Sequence, residues 1–236
     1  ANTNQISTDD IVGTWAGLRP LVKSASSGRT ADLSRRHKVR RSDSGMVTIT
    51  GGKLTTYRRM AADTVDEIVT SVLTEPPAGA KRSRTKKLRL RGADGHDSVA
   101  SAASGYPAVP ADSVAHLAGR YGGEARALFG MIQADPQLAE PLVKGLPYLK
   151  AEAVFAVRHE MATTVDDVLS RRTRSRLYAR DDSAAAADAV AELIAPELGW
   201  NDAQAHASAE AYRQMCEHER TAAGLPSVGL AAALGG

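Results

Sequence analysis

The residues best suited to chemistry in this sequence are two glycines and a lysine at a predicted turn, Gly51-Gly52-Lys53. Residues 46–50, just before them, are rich in β-branched side chains and predict a short strand. Apolar residues then recur at helical spacing, which predicts an amphipathic helix over residues 54–73. They are Leu54, Tyr57, Ala61, Val65, Ile68 and Val72. Such a turn lets a ligand approach the backbone, and the N–H groups at the helix start attract an electron-rich group.

The turn is not a nucleotide-binding P-loop. That motif has four residues between its glycines and a Ser or Thr directly after its lysine. Here Gly45 is too far from Gly52, and Leu54 follows Lys53. On spacing alone, a tight β–α turn with a solvated lysine is the simpler interpretation.

Length and composition predict one large or two small folded domains. The chain has 236 residues, of which 43% are hydrophobic and 24% are charged. No apolar stretch is long enough to span a membrane, and the polar start of the chain shows no secretory signal. The single cysteine, Cys216, excludes an internal disulfide and is interpreted as a buried small hydrophobe.

Charge divides the chain into unlike halves. Residues 1–91 carry 18 lysines and arginines against 8 acids, whereas the remaining residues carry 12 against 19. This asymmetry indicates two modules with different roles, and the basic half suits an anion such as a phosphate, a nucleic acid or a lipid headgroup.

The most basic segment is Lys81 to Arg91, with seven basic residues and no aromatic residue. Proteins that bind single-stranded nucleic acid usually pair positive charge with stacking aromatic side chains, which are missing here. We interpret the segment mainly as a solvated connector, with lipid headgroups and the acidic second half as its alternative contacts.

The second half of the chain is predicted to be helical. Apolar spacing and capping residues predict helices over residues 113–117, 124–133, 152–161, 165–174, 183–198 and 203–220. Asn201 or Asp202 is expected to cap the last helix, and Thr163 with Asp166 resembles a capping box. The six histidines show no metal-ligand spacing, and neither a G-x-S-x-G nor a G-x-G-x-x-G motif is present.

Motifs in both halves, taken in order, resemble FAD-dependent glycerol-3-phosphate dehydrogenase. The first half contains GTWAGLRPL at 13–21, SRRH at 34–37 and TGGKLTTYR at 50–58. The second half contains LPYL at 146–149, AEAV at 151–154, RHEMA at 158–162, DDVLSRRTR at 166–174 and ELGW at 197–200. Each motif alone is weak, but their combination is specific.

The resemblance implies a fold and a domain order. We expect an α/β remnant of a FAD-binding (DAO-like) domain followed by an all-α C-terminal cap domain. The expected boundaries are 1–75 for the FAD- and substrate-binding portion, 76–110 for a linker, 111–222 for the cap and 223–236 for a tail. The Rossmann-type segment for the ADP half of FAD is absent, so the chain resembles a C-terminal fragment. Alone, it is expected to show no turnover and to bind little FAD.

The same resemblance implies a cofactor site at the turn. Gly51, Gly52, Leu54 and Thr55 would lie against the flavin of FAD and present N–H groups to its pyrimidine edge. Positive dipole ends there stabilise the negative charge that arrives with a hydride. Lys53 would contact an oxygen of the flavin or of the substrate.

A substrate site is implied as well. Arg19 and Arg35 would grip the phosphate of sn-glycerol 3-phosphate, together with Lys53. The reaction would be hydride transfer to FAD, giving dihydroxyacetone phosphate, with electrons passed to quinone. The general base is expected in the missing N-terminal part, and no metal is expected.

The resemblance also suggests a cytoplasmic protein with a peripheral contact on the membrane face and a homodimeric state, and no nucleic acid partner is expected. One alternative is glycerol-3-phosphate oxidase, which shares the motifs but passes electrons to oxygen. Another is a stand-alone basic module that binds an anion, a lipid or a nucleic acid through residues 81–91.

Overall fold

The computed structural model describes residues 11, 14, 16–18, 36–80 and 83–225. The chain divides into two compact units, one within residues 16–90 and one that includes residues 91–225. We name them the hairpin–helix unit and the helical unit. Arg19 and Arg35, and the predicted tail from residue 226 onward, lie outside the described residues.

The described residues of the hairpin–helix unit form two short antiparallel strands and one long helix. Strand β1 (Lys38–Arg41) pairs with β2 (Val47–Thr50), with Lys38 opposite Thr50. A 3-10 turn (Leu54–Thr56) leads into helix α1 (Tyr57–Ser71), and a second 3-10 turn covers Thr85–Lys87. The strand predicted at 46–50 and the helix predicted at 54–73 are therefore confirmed.

This unit has almost no core of its own. Among its described residues only Ala62 is buried. The apolar stripe that predicted α1 is largely open to solvent, with Leu54 88% exposed, Tyr57 56% and Val65 53%. A two-stranded hairpin is marginally stable by itself, so such a unit needs further packing.

The helical unit follows from Arg91. Its helices are α2 (Val99–Ala102), α3 (Ala111–Tyr121), α4 (Ala125–Ala134), α5 (Lys150–Glu160), α6 (Ser175–Tyr178), α7 (Arg180–Ala185), α8 (Ala187–Leu198) and α9 (Asp202–Ala222). The predicted helix over 183–198 is divided between α7 and α8, and the one over 165–174 contains a π-helical segment, Asp167–Arg172. The helices predicted over 124–133, 152–161 and 203–220 are confirmed, with each end displaced by one or two residues. The helix predicted over 113–117 is present but longer, as α3.

Helix α5 is the centre of the helical unit. Six consecutive residues, Ala151 to Ala156, are buried. Ala151 and Phe155 join a cluster with Leu128 and residues of α3, whereas Ala153 and Ala156 join a second cluster formed largely by α8 and α9. A helix that is apolar on all sides is one that other elements surround.

The helical unit begins earlier than the cap predicted from Ala111. The N–H of Gly123 donates to the carbonyl of Gly92 at 2.7 Å, and a Cβ atom at Gly123 would lie 1.8 Å from the carbonyl oxygen of Asp94. Val99 is fully buried. Residues 91–110, part of the predicted linker 76–110, therefore pack into this unit through backbone approaches that composition does not predict. The functional division into domains stays a prediction.

Candidate functional site

The Gly-Gly-Lys turn changes the chain direction from β2 into α1. Gly51 and Gly52 have φ values of 76° and 82°, a region that side-chain-bearing residues rarely adopt. Lys53 is extended, with φ −135° and ψ 154°, and stands at the N-cap position of the following turn. Two adjacent glycines are thus required by the backbone of the turn itself.

The inner side of the turn is in contact with the unit's own side chains. A Cβ atom at Gly52 would lie 2.5 Å from Sδ of Met60 and 3.2 Å from Cβ of His37. The turn at Gly52 therefore packs closely against α1 and against His37, the residue just before β1.

The turn also presents hydrogen-bond donors. The hydroxyl of Thr56 accepts from the N–H of Lys53 at 3.2 Å and donates to the carbonyl of the same residue at 2.9 Å. The N–H groups of Leu54 and Thr55, in the first turn of the helix, have no partner among the described residues. These two donors, together with the helix dipole, are available to an electron-rich group.

The lysine of the turn is available as well. Its side chain is exposed and makes no hydrogen bond or ion pair within residues 36–80 and 83–225. An ammonium group beside two N–H donors gives the turn a positive electrostatic character. The arrangement can hold a negatively charged or electron-rich oxygen.

An ionic contact joins His37, the residue just before β1, to α1 near the turn. Nε2 of His37 lies 2.8 Å from Oδ2 of Asp63, and Nε of Arg59 lies 2.9 Å from the other carboxylate oxygen. The hydrogen bond from His37, with a smaller contribution from Arg59, holds the pKa of Asp63 below its ordinary value. The spacing of Arg59 and Asp63 could have predicted their pairing, whereas the contact with His37 could not be read from the sequence.

The structure describes the residues predicted to bind the cofactor but not all of those predicted to bind the substrate. Gly51, Gly52, Lys53, Leu54 and Thr55 lie together because they are consecutive, and their backbone geometry suits the predicted role. The two arginines predicted to hold the phosphate lie outside the described residues, so the substrate site stays a prediction.

A second polar cluster lies inside the helical unit. Glu152 is fully buried, and its carboxylate accepts from Nε2 of His116 at 3.0 Å and from the hydroxyl of Tyr121 at 3.0 Å. Nε of Arg120 donates to the hydroxyl of Tyr121 at 3.1 Å and forms an ion pair with Glu152 at 3.1 Å. The N–H of Leu149 donates to the same carboxylate at 2.7 Å and so caps the start of α5.

This cluster ties α3 to the start of α5. Cζ of Arg120 lies 5.3 Å from the ring centroid of Tyr148, and the ring of His116 packs edge-on at 5.5 Å from the same ring. Burial raises the pKa of Tyr121 far above its ordinary value, and the nearby charge of Glu152 adds to that effect. With solvent excluded and its donors engaged, the cluster has the character of a structural network.

In the described part of the chain, no group of three or more His, Cys, Asp or Glu side chains is placed to hold a metal ion. None of the helices described combines the length and the apolar content needed to cross a bilayer.

Comparisons with known proteins identify similar sequences and similar solved structures. The family described as the C-terminal domain of alpha-glycerophosphate oxidase matches residues 83–205. Glycerol-3-phosphate dehydrogenase 2 of Mycobacterium tuberculosis is 38% identical over 213 residues, which is 89% of this chain and 36% of the relative. The mitochondrial glycerol-3-phosphate dehydrogenase of Bos taurus is 32% identical over 220 residues, which is 91% of this chain and 30% of the relative.

One solved structure that is similar to this chain is that of the glycerol-3-phosphate dehydrogenase from Bacillus halodurans complexed with FAD. It has a TM-score of 0.59 and 28% sequence identity, and the match covers 77% of this chain and 36% of that chain. The chain thus spans about a third of the length of the proteins that it matches.

Proposed function

Because the chain belongs to the family of C-terminal domains of alpha-glycerophosphate oxidase, we propose that it forms the C-terminal part of a FAD-dependent glycerol-3-phosphate dehydrogenase. The observation that carries this proposal is the similarity to the Mycobacterium tuberculosis enzyme over 213 residues. A match of that length extends beyond residues 83–205 into the hairpin–helix unit, where the Gly-Gly-Lys turn lies. The proposed reaction oxidises sn-glycerol 3-phosphate to dihydroxyacetone phosphate.

We further propose that the hairpin–helix unit is the remnant of a FAD-binding domain of α/β type. Its exposed helix stripe supports this proposal, because a larger sheet and further helices would cover it, and Ala62 is the only buried residue among those described in the unit. The helical unit has its own core and would be the all-α cap, with a structural role.

The turn fits the flavin of FAD by the chemistry of its donors. The unpartnered N–H groups of Leu54 and Thr55 suit the electron-rich pyrimidine edge, and the glycines at 51 and 52 set the turn that brings them to one helix end. FAD, when bound, supplies the hydride acceptor. The positive helix end would then stabilise negative charge at that edge.

The substrate would be held by its phosphate. Arg19 and Arg35 are proposed to contact the phosphate oxygens, since guanidinium groups bind phosphate in a bidentate manner. Lys53 would place its ammonium group near an oxygen of the flavin or of the substrate. The general base would come from a part of the enzyme outside this chain.

The electron acceptor defines two candidate functions. We propose quinone, in keeping with the dehydrogenase relatives, and a quinone acceptor implies a peripheral contact with a membrane. The description of the matching family names an oxidase, which favours oxygen as the second candidate. Hydrogen peroxide formed in proportion to the substrate consumed would select the oxidase.

A chimeric enzyme tests the proposal. The matching segment of the Mycobacterium tuberculosis enzyme is replaced by this chain, and dye reduction dependent on glycerol 3-phosphate is measured beside the unaltered enzyme. We expect a FAD-loaded, active chimera, and we expect Arg19→Ala to lower kcat/KM by about ten- to a hundredfold through the loss of a phosphate contact. A folded chimera that contains FAD but does not oxidise the substrate would overturn the proposed function.

The chain alone is proposed to be inactive, because half of the cofactor site is missing. We expect purified residues 1–236 to show no turnover and to contain little FAD. A yellow preparation with one FAD per chain would contradict this expectation.

A further inference from the structure

The motif at residues 13–21, which supplies Arg19, has a hydrogen bond to the last helix of the helical unit. The N–H of Thr14 donates at 3.4 Å to Oε1 of Glu219, in the final turn of α9. The two residues are 205 positions apart in the sequence, yet both belong to the helical unit. The start of the motif is therefore attached to the end of α9.

Glu219 is suited to hold that N–H. Its side chain is only 15% exposed, and its Oε2 lies 3.6 Å from Nη1 of Arg176, on α6. The charge of the arginine offsets the cost of burying the carboxylate. Among the described residues Oε2 accepts no hydrogen bond, and the N–H of Thr14 is the hydrogen-bond donor to this carboxylate. A buried acceptor with so few donors depends on each of them.

The chain between Thr14 and the phosphate-binding arginine is short. Arg19 follows Thr14 by five residues, and five residues can span at most about 18 Å. Holding one end of so short a segment reduces the number of conformations open to the arginine. The ordering cost that phosphate binding must meet falls accordingly.

We infer that Glu219 is a positioning residue for Arg19 and that it acts through the N–H of Thr14. The inference rests on the proposed function, because Arg19 is its link to the substrate. It gives the last helix of the helical unit a part in phosphate binding in addition to its part in the core. Glu219 is assigned no contact with the substrate or with FAD.

Amide hydrogen exchange of residues 1–236 tests the hydrogen bond itself. The N–H of Thr14 should exchange at least about tenfold faster in Glu219→Ala than in the wild type, because a charge-assisted hydrogen bond is lost. Glu217→Ala is the matched control, since Glu217 lies on the same helix and pairs with Arg220. Equal exchange of this N–H in all three proteins would overturn the inference.

Kinetics of the chimeric enzyme test the positioning role. Glu219→Ala should raise KM for glycerol 3-phosphate about three- to tenfold and keep kcat within about twofold, because phosphate binding is weakened equally before and during the reaction. Glu219→Gln keeps an oxygen that can accept from Thr14 and should restore most of the wild-type KM. Glu217→Ala should keep the wild-type KM, and an unchanged KM in Glu219→Ala would overturn the inference.

A donor-side variant covers the case in which Glu219→Ala does not fold. Thr14→Pro removes the N–H and leaves Glu219 and Arg176 in place. Thr14 is exposed, so its side chain is not needed for the core. Circular dichroism of each variant establishes that it is folded. Thr14→Pro should raise KM as Glu219→Ala does, and a wild-type KM in folded Thr14→Pro would overturn the inference.

A double-mutant cycle separates positioning of Arg19 from a general structural effect. If Glu219 acts through Arg19, Glu219→Ala should change KM by less than about twofold in an enzyme that already carries Arg19→Ala. Fully additive effects would overturn this inference and leave the proposed function standing. An unchanged kcat/KM in Arg19→Ala alone would overturn both, because Arg19 would then not hold the phosphate.

Discussion

The carboxylate of Glu152, to which solvent has no access, lies 3.0 Å from Nε2 of His116. The same carboxylate accepts from the hydroxyl of Tyr121 and from the backbone N–H of Leu149, and it forms an ion pair with Arg120. A single negative charge therefore organises the contact between α3 and the start of α5. Its removal would leave the buried hydroxyl of Tyr121 and the buried N–H of Leu149 without this acceptor.

We expect Glu152→Gln to lower the free energy of unfolding by about 2–3 kcal/mol, because the guanidinium of Arg120 loses its counter-charge inside the unit. Urea denaturation followed by circular dichroism measures the change. The control is Glu140→Gln, whose partner Lys150 lies at 2.6 Å and whose side chain is 58% exposed. A surface pair of this kind contributes less than about 1 kcal/mol, so equal losses in the two variants would contradict the buried network.

The contact between His37 and Asp63 predicts acid sensitivity of the hairpin–helix unit. The pKa of Asp63 is lowered chiefly by the hydrogen bond from His37. Such a carboxyl stabilises the fold above its unfolded pKa of about 3.9, and that stabilisation is lost as the pH falls through the lower folded pKa. Below about pH 4, stability should therefore fall more steeply in the wild type than in Asp63→Asn.

Thermal unfolding of both proteins across the acid range measures this difference. Asp66→Asn on the same helix serves as the control, because Asp66 makes no ion pair to the residues the structure describes. Parallel curves for the wild type and Asp63→Asn would contradict the prediction.

Substitution of Gly52 should lower both the stability of the turn and the binding of FAD. Gly52→Ala meets both a positive φ and the side chain of Met60, and we expect a loss of about 1–3 kcal/mol in stability and a lower FAD content in the chimeric enzyme. Gly45→Ala is the control, since Gly45 has φ 86° but nothing within 4 Å of the added Cβ atom. If the folded Gly52→Ala variant kept its full FAD content, the assignment of the turn to the cofactor site would be wrong.

Substitution of Lys53 should lower the catalytic efficiency of the enzyme without changing its stability. In the chimeric enzyme, Lys53→Met should lower kcat/KM by about ten- to a hundredfold, because a charge-assisted hydrogen bond to flavin or substrate oxygen is lost. Its unfolding midpoint should stay unchanged, since the side chain is exposed and has no partner among the described residues. Lys144→Met, at an exposed lysine of the helical unit, should alter neither quantity, and an unaltered kcat/KM in Lys53→Met would refute the assignment.

The thiol of Cys216 should report the opening of α9. Burial raises its pKa to about 11, so little thiolate forms near pH 8 in the folded chain. We expect slow reaction with Ellman's reagent in buffer and rapid reaction in denaturant. As Cys216 is the chain's one cysteine, the signal needs no second variant. Rapid reaction of the folded chain would show that α9 is not packed as described.

Local pattern was sufficient to predict most of the helices and the turn. The β-branched run before Gly51 and the apolar spacing after it predicted β2 and α1, because both are properties of neighbouring residues. Of the two residues expected as the cap, Asn201 and Asp202, the cap is Asn201, whose side chain accepts from the N–H of Gln204 at 2.9 Å. The apolar spacing did not predict that the stripe of α1 would be exposed.

The capping box predicted for Thr163 and Asp166 is wrong by one residue, because the hydroxyl of Thr164 accepts from the N–H of Asp167 at 3.0 Å.

Contacts between distant segments could not be predicted from the sequence. The motif around Glu152 was recognised, but its partners on α3 are about thirty residues earlier and carry no shared pattern. Close backbone approach, as between Gly92 and Gly123, likewise leaves no trace in composition.

The central position of α5 has a consequence for how the helical unit loses its structure. Because this one helix supplies side chains to both apolar clusters, neither cluster can melt while the other stays intact. We therefore expect residues 91–225 to unfold on heating in a single cooperative transition, although the segment contains two separate apolar clusters.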